Sequence, residues 1–173
     1  MRNLEAKFGL DDLVIARAGA EANGYTYRAT LIQRDTFFAV PNGRLKLREE
    51  AGNALLIHYR RDHDADLELS NYAIVPVTHP DQLRRMLEAA LGTIAEVRKR
   101  RTLLMRENIR LHLDEVENLG LFGEIEAVIP ENDDAERCRP AVEETLAALG
   151  ISSDDLIGVA YFELLRDGVR RAD

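Results

Sequence analysis

The sequence predicts an α+β chain built on a mostly antiparallel sheet. Segments with strand-like alternation follow one another in long runs, and helical periodicity is confined to a few places between them. The turn signals (Pro41-Asn42-Gly43, His79-Pro80-Asp81 and Pro130-Glu131-Asn132-Asp133-Asp134) are short and read as loops between elements. No internal repeat, low-complexity tract or Gly/Ser/Pro-rich linker divides the 173 residues, so residues 1–173 are expected to form a single domain.

Asn3–Phe8 reads as the first strand. A helix is expected next on Leu10, Leu13, Val14, Arg17 and Ala18, opened by Asp11 and Asp12, whose charge suits a helix N-terminus. Strands then follow at Tyr27–Gln33, Thr36–Val40, Arg44–Glu50, Ala54–Arg60 and Tyr72–Val77. Leu83, Met86, Leu87, Ala90 and Leu91 form a helical stripe, with Pro80 near its start and Gly92 as its stop. Ala95–Arg101, Thr102–Arg106, Asn108–Asp114 and Gly123–Ile129 complete ten candidate strands. Val142, Leu146 and Leu149 mark a third long helix closed by Gly150, and short helices are expected at Asp154–Ile157 and Tyr161–Arg166.

Composition narrows the function classes. Charged residues make up 31% and hydrophobic ones 46%, which fits a globular chain. No stretch approaches the ~18 apolar residues of a spanning helix, and Met1–Glu5 lead into patterned sequence without an apolar signal core. The single cysteine, Cys138, cannot close an internal disulfide, and a cytoplasmic location is expected. A net charge of −8 argues against nucleic-acid coating and against anionic membrane surfaces, but leaves room for a local basic pocket. Neither a G-x-G-x-x-G loop nor a P-loop is present, so phosphates, if bound, must be held by side chains. H-E-x-x-H, C-x-x-C and G-x-S-x-G motifs are also absent.

Several strands carry charge at period two. Asn3, Glu5 and Lys7 share one face, and so do Arg44, Lys46 and Arg48. Val97, Lys99 and Arg101 form another such row, Arg110, His112 and Asp114 a fourth, and Glu124 and Glu126 a fifth. The simple reading of any one row is the wet face of a half-exposed sheet. Across the set, however, the signs are sorted, and like charges two apart are tolerated best when opposite charge faces them. If the sheet closes, these rows point inward. Arginine forks and lysine ammonium groups suit phosphate oxygens, and carboxylates tolerate a polyphosphate when a hard cation stands between them. His112 reads as a structural imidazole, with a tunnel proton donor or hydrogen-bond partner as the alternative, His58, His63 and His79 as too scattered for a metal set, and Arg98–Arg101 as a run split between two faces.

These residues resemble the CYTH, or triphosphate tunnel metalloenzyme, superfamily. Its E-x-E-x-K hallmark corresponds to Asn3-Leu4-Glu5-Ala6-Lys7, with asparagine in place of the first acid. Gln33-Arg34-Asp35-Thr36-Phe37-Phe38, Gly43-Arg44-Leu45-Lys46-Leu47-Arg48-Glu49 and Leu56-Ile57-His58-Tyr59-Arg60-Arg61 follow in order. Lys99-Arg100-Arg101, His112-Leu113-Asp114-Glu115-Val116 and Gly123-Glu124-Ile125-Glu126 complete the series over nearly the whole chain. The resemblance implies an eight-stranded antiparallel β-barrel, a tunnel with flanking α-helices, holding a triphosphate and Mg²⁺ or Mn²⁺.

Position by position, it implies Glu5, Asp114, Glu124 and Glu126 as metal-side acids. Lys7, Lys46, Arg48 and Arg101 stand as the main triphosphate cations, with Arg44, Arg60, Lys99 and Arg110 as further candidates, and Lys7 and Arg101 as catalytic. The similarity is greatest to the class IV adenylyl cyclase branch, which would convert ATP to cyclic AMP and pyrophosphate. Hydrolysis of tripolyphosphate or thiamine triphosphate, and non-catalytic binding of polyphosphate or a nucleotide, are the alternatives. No nucleic-acid or membrane partner is expected, and a homodimer is left open.

Overall fold

The computed structural model describes residues 2–62, 67–130 and 134–168. Eight strands are present: β1 (Arg2–Gly9), β2 (Thr26–Phe38), β3 (Arg44–Glu50), β4 (Asn53–Asp62), β5 (Glu68–Pro76), β6 (Thr93–Arg106), β7 (Ile109–Val116) and β8 (Gly120–Ile129). They close into an antiparallel barrel in the order β1-β5-β4-β3-β2-β6-β7-β8, with β8 pairing back onto β1. Among the described residues four α-helices accompany them: α1 (Leu13–Ala22), α2 (Pro80–Leu91), α3 (Arg139–Ala148) and α4 (Tyr161–Asp167). His63 and residues 131–133 of the expected acidic loop lie outside the described residues.

Ten expected strands became eight because two pairs are continuous. Arg34 and Asp35 interrupt the apolar pattern and read as a break, yet β2 runs straight through them. Arg34 donates to Glu49 at 2.9 and 2.6 Å, and Asp35 accepts from Lys46 and Arg48, so the neighbouring strand neutralises both. In the same way β6 carries the whole Ala95–Arg106 region, with Lys99 and Arg101 buried and Arg98 and Arg100 exposed. The expected helix at Asp154–Ile157 is a 3-10 turn, Ser153–Asp155.

Local chemistry accounts for the element ends. The Asp12 carboxylate caps α1 by accepting from the Val14 and Ile15 amides at 2.6 and 3.0 Å. Pro80 sits in the first turn of α2 and Gly92, at φ +77°, ends it. Gly123 opposes Phe8 in the β1–β8 ladder, where a Cβ would collide with the Phe8 ring.

The barrel's outer surface is apolar where helices pack on it, and its middle carries most of the buried polar side chains. Helices α1 and α3 cover a core of Leu4, Phe8, Leu104, Leu111 and Ile125. Leu83 and Leu87 of α2 pack on Phe38, Leu47 and Ala54. Helix α4 differs, for its Tyr161, Phe162 and Leu164 pack among Phe37, Tyr59, Val97 and Phe122 at one end of the barrel. No helix among the described residues is long and apolar enough to cross a membrane.

Candidate active site

A cavity of about 500 Å³ occupies the barrel interior, within the range of small-molecule sites. Its charged wall is made largely by period two along the strands, with Gln33 and Asp35 contributed by β2. Lys46 and Arg48 come from β3, Lys99 and Arg101 from β6, Arg110 and His112 from β7, and Glu124 and Glu126 from β8. Asn3, Glu5 and Lys7 of β1 complete it. Strands β1 and β8 pair with Glu5 opposite Glu126 and Lys7 opposite Glu124, which gathers the acids on one side. Leu31, Ile74, Leu103 and Met105 supply apolar lining.

Two buried carboxylates organise the cations. Asp35 accepts from Lys46 Nζ at 3.0 Å and from both Arg48 nitrogens at 2.7 Å. Burial works against its charge, but Arg48 and Lys46 hold its carboxyl well below the ordinary range. Burial together with the Arg48 guanidinium pushes Lys46 down to about 7, against the opposing pull of Asp35. Asp114 is wholly buried and accepts from Arg101 at 2.7 and 2.6 Å, Lys99 at 3.2 Å and the Tyr161 hydroxyl at 2.9 Å. Burial opposes its ionisation, yet Arg101 and Lys99 hold its carboxyl well below the carboxylate range. Burial and the Arg101 charge lower Lys99, and burial and Asp114 raise the Tyr161 hydroxyl.

The acid side forms a second cluster. Arg101 Nη2 donates to Glu124 Oε2 at 2.5 Å, and Arg110 reaches Glu126 at 3.4 Å. Burial opposes the Glu124 charge, while the Arg101 guanidinium holds the carboxyl well below the ordinary range. One ligand atom each from His112, Glu124 and Glu126 lies within 4.8 Å of the others. His112 Nδ1 is buried without a hydrogen-bond partner. Carboxylate oxygens and an unmet imidazole nitrogen facing one cavity fit a divalent cation.

The structure brings most of the expected residues together and removes three from the void. Arg60 is exposed, because its neighbours Ile57 and Tyr59 take the inward positions of β4. Arg44 does not line the cavity. Its guanidinium donates to Glu163 of α4 at 2.8 and 2.9 Å and lies over the Tyr59 and Phe162 rings. Asp114, expected on the metal side, is not among the lining residues and accepts from Arg101, Lys99 and Tyr161. Three participants carried no expected role: Asp35, His112 as a member of the acid cluster, and Tyr161. Period two from Gln33 to Asp35 places Asp35 on the inward face opposite Arg48, a signal present in the sequence. Tyr161 offered none, since a short helix far along the chain does not announce where it docks.

Lys7 shows what that docking does. Its ammonium donates to the Val159 carbonyl at 3.1 Å and lies 4.7 Å from the centre of the Tyr161 ring. Ala160 and Tyr161 form part of the cavity wall. The segment around Ala160 and Tyr161 therefore supplies part of the site's wall and holds Lys7 in place.

A closed antiparallel barrel with cations sorted against carboxylates defines a tunnel built for an anionic ligand. The CYTH domain model matches residues 1–161, and the chain belongs to that family. It is 26% identical over 175 residues to a Methanocaldococcus jannaschii protein provisionally named adenylate cyclase MJ0240, covering 95% of this chain and 98% of that one. The fold is similar to that of PH1012 from Pyrococcus horikoshii OT3, with a TM-score of 0.85, 21% identity and coverage of 94% and 98%. It is also similar to HpAC1 from Hippeastrum, provisionally named an adenylyl cyclase and described as having a dominant triphosphatase activity. There the TM-score is 0.67, at 18% identity and 96% coverage of both chains.

Proposed function

We propose that this chain is a metal-dependent enzyme acting on a nucleoside triphosphate, with adenylyl cyclase-like chemistry as the first reading. The observation that carries it is the sorted interior: Lys46, Arg48, Lys99 and Arg101 on β3 and β6 face Glu5, Glu124 and Glu126 on β1 and β8 across one cavity. The apolar lining of Leu31, Ile74, Leu103 and Met105 suits the organic part of a nucleotide better than it suits inorganic tripolyphosphate.

The chain's own residues supply binding and charge. Lys46, Arg48 and Lys99 grip phosphate oxygens by exchanging part of their bonding to Asp35 and Asp114 for the ligand. Glu5, Glu124 and Glu126 would hold a divalent cation, which when bound neutralises phosphate charge and polarises phosphoryl oxygens. Lys7 faces Glu124 in the ladder and Arg101 touches it, so both stand where charge develops as the phosphoryl group is attacked. In cyclisation the ribose 3′-hydroxyl attacks the α-phosphorus and pyrophosphate leaves.

Triphosphate hydrolysis is the second reading, favoured by the likeness to the Hippeastrum chain and its described triphosphatase activity. Water would then attack the terminal phosphorus in the same pocket. A non-catalytic triphosphate-binding module is the third, favoured by neutral Asn3 in the cavity wall. Incubating the protein with Mn²⁺ and ATP, tripolyphosphate or thiamine triphosphate, then identifying products, separates them. Cyclic AMP with pyrophosphate supports cyclisation, orthophosphate supports hydrolysis, and binding without product supports the module.

A further inference from the structure

His112 is the side chain in the tunnel whose bonding is incomplete in a way that points to a ligand. It is 5% exposed, it lines the cavity, and its Nδ1 has no hydrogen-bond partner. Buried ring nitrogens are rarely left in that state. The nearest charged oxygens, Glu124 Oε2 and Glu126 Oε1, each stand 3.8 Å from Nδ1. That gap exceeds the roughly 2.7–3.2 Å of an N–H···O hydrogen bond. It matches a nitrogen and an oxygen bound to one ion, since bonds of about 2.0–2.2 Å to each leave the two donors roughly 3–4 Å apart.

The strand register sets this geometry. In the β7–β8 ladder His112 lies opposite Glu124, and Arg110 lies opposite Glu126, so the imidazole sits beside one carboxylate and diagonal to the other. On its other flank the β6 neighbour is Leu103, which offers no polar atom. Asn3, meanwhile, puts a neutral amide on the same cavity wall where a further carboxylate would have favoured a hard cation.

We propose that His112 is a nitrogen ligand of the tunnel cation, completing a His–Glu–Glu set with Glu124 and Glu126. Such a set makes the site prefer imidazole-accepting first-row ions (Mn²⁺, Co²⁺ or Zn²⁺) over Mg²⁺. Mg²⁺ keeps oxygen ligands and waters, whereas imidazole donors favour ions further along the first row. The proposal deepens the metal-dependent reading above and rests on it.

Pulsed electron paramagnetic resonance of Mn²⁺ bound to the whole protein, without triphosphate, reads the ligand directly. The expected spectrum shows coupling to a directly bound ¹⁴N that vanishes in His112→Gln. Calorimetry should show His112→Gln losing Mn²⁺ affinity by at least about tenfold, the low end of what even an outer partner of a metal ligand is worth. Mg²⁺ affinity should change far less. His112→Asp controls for folding, because an oxygen ligand should restore Mn²⁺ binding without nitrogen coupling and shift preference toward Mg²⁺. Absent nitrogen coupling in the wild type, no Mn²⁺ binding at millimolar metal, or an unchanged Mn²⁺-to-Mg²⁺ ratio in His112→Gln would each overturn the proposal. Tripolyphosphate binding to the same samples in chelator tests the triphosphate reading separately. Its failure there, with nitrogen coupling present, would sink that reading and leave the His112 ligand standing.

Discussion

Arg101 reaches Asp114 with both arms of its fork, Nε to Oδ1 at 2.7 Å and Nη2 to Oδ2 at 2.6 Å. The same Nη2 also touches Glu124 Oε2 at 2.5 Å, so one guanidinium ties the cation wall to the acid cluster. Asp114 is in turn the anchor of Lys99 and of Tyr161 from the terminal helix. Asp114→Asn should therefore act on stability before it acts on metal. Leaving buried cations without their counter-charge costs roughly 3–5 kcal/mol. Chemical denaturation should show that loss, with Mn²⁺ affinity of the folded fraction little changed. A stable variant that has lost Mn²⁺ would return Asp114 to the metal.

Lys46→Ala and Arg48→Ala should each weaken triphosphate binding by about ten- to a hundredfold, since a charge-assisted hydrogen bond is worth roughly 1.5–3 kcal/mol. They should differ in stability. Asp35 receives one bond from Lys46 and two from Arg48, so Arg48→Ala destabilises the fold more. Calorimetry and thermal melts on both variants check the pair, and unchanged binding in both would mean the wall does not meet the ligand.

Lys46 gives a pH dependence. Burial and Arg48 bring it to about 7 from an ordinary 10.5. Between those values the unfolded chain holds a proton that the folded protein has released. The contribution of this group to stability therefore rises with pH across the window and falls away as pH drops toward 7. A bound triphosphate favours the charged ammonium, so binding near pH 8 should take up a proton. Titrations in buffers of different ionisation enthalpy should show that uptake in the wild type and its loss in Lys46→Arg.

Glu124→Gln or Glu126→Gln should abolish turnover while preserving shape, because the amide keeps the volume and removes the attraction for a divalent ion. The wild type should lose activity in excess chelator and regain it with added Mn²⁺. Full turnover in chelator would remove the metal mechanism.

Asn3 is buried on the cavity wall, where its Oδ1 accepts from the Tyr72 hydroxyl at 3.1 Å. Two unit charges ~4 Å apart interact by about 4 kcal/mol at an effective dielectric of 20, much of it cancelled by desolvation. Asn3→Glu should thus lower the Mn²⁺ concentration needed for half-maximal activity, most clearly before triphosphate adds its own charge. Superimposable Mn²⁺ titrations would mean that Asn3 serves only to hold Tyr72.

What the sequence determined by itself was set by period two. Alternation along each strand is local, so Lys46 with Arg48, Lys99 with Arg101, and Glu124 with Glu126 could be put on shared faces before any fold was known. The eight-stranded tunnel came from the resemblance of the ordered motifs to the CYTH family, since alternation alone suggested ten strands. Tertiary structure alone decided which groups met. Arg60 obeys alternation and still points outward, because β4 turns Ile57 and Tyr59 to the cavity. Arg44 belongs to the right face but lies where α4 docks, so Glu163 takes it. Asp114 sits on the inward face, yet Arg101, Lys99 and Tyr161 surround it. Such pairings depend on ladder register and on a helix packed from the far end of the chain. Neither is encoded within a strand's own few residues, because the energy that selects them comes from contacts formed only when the barrel closes.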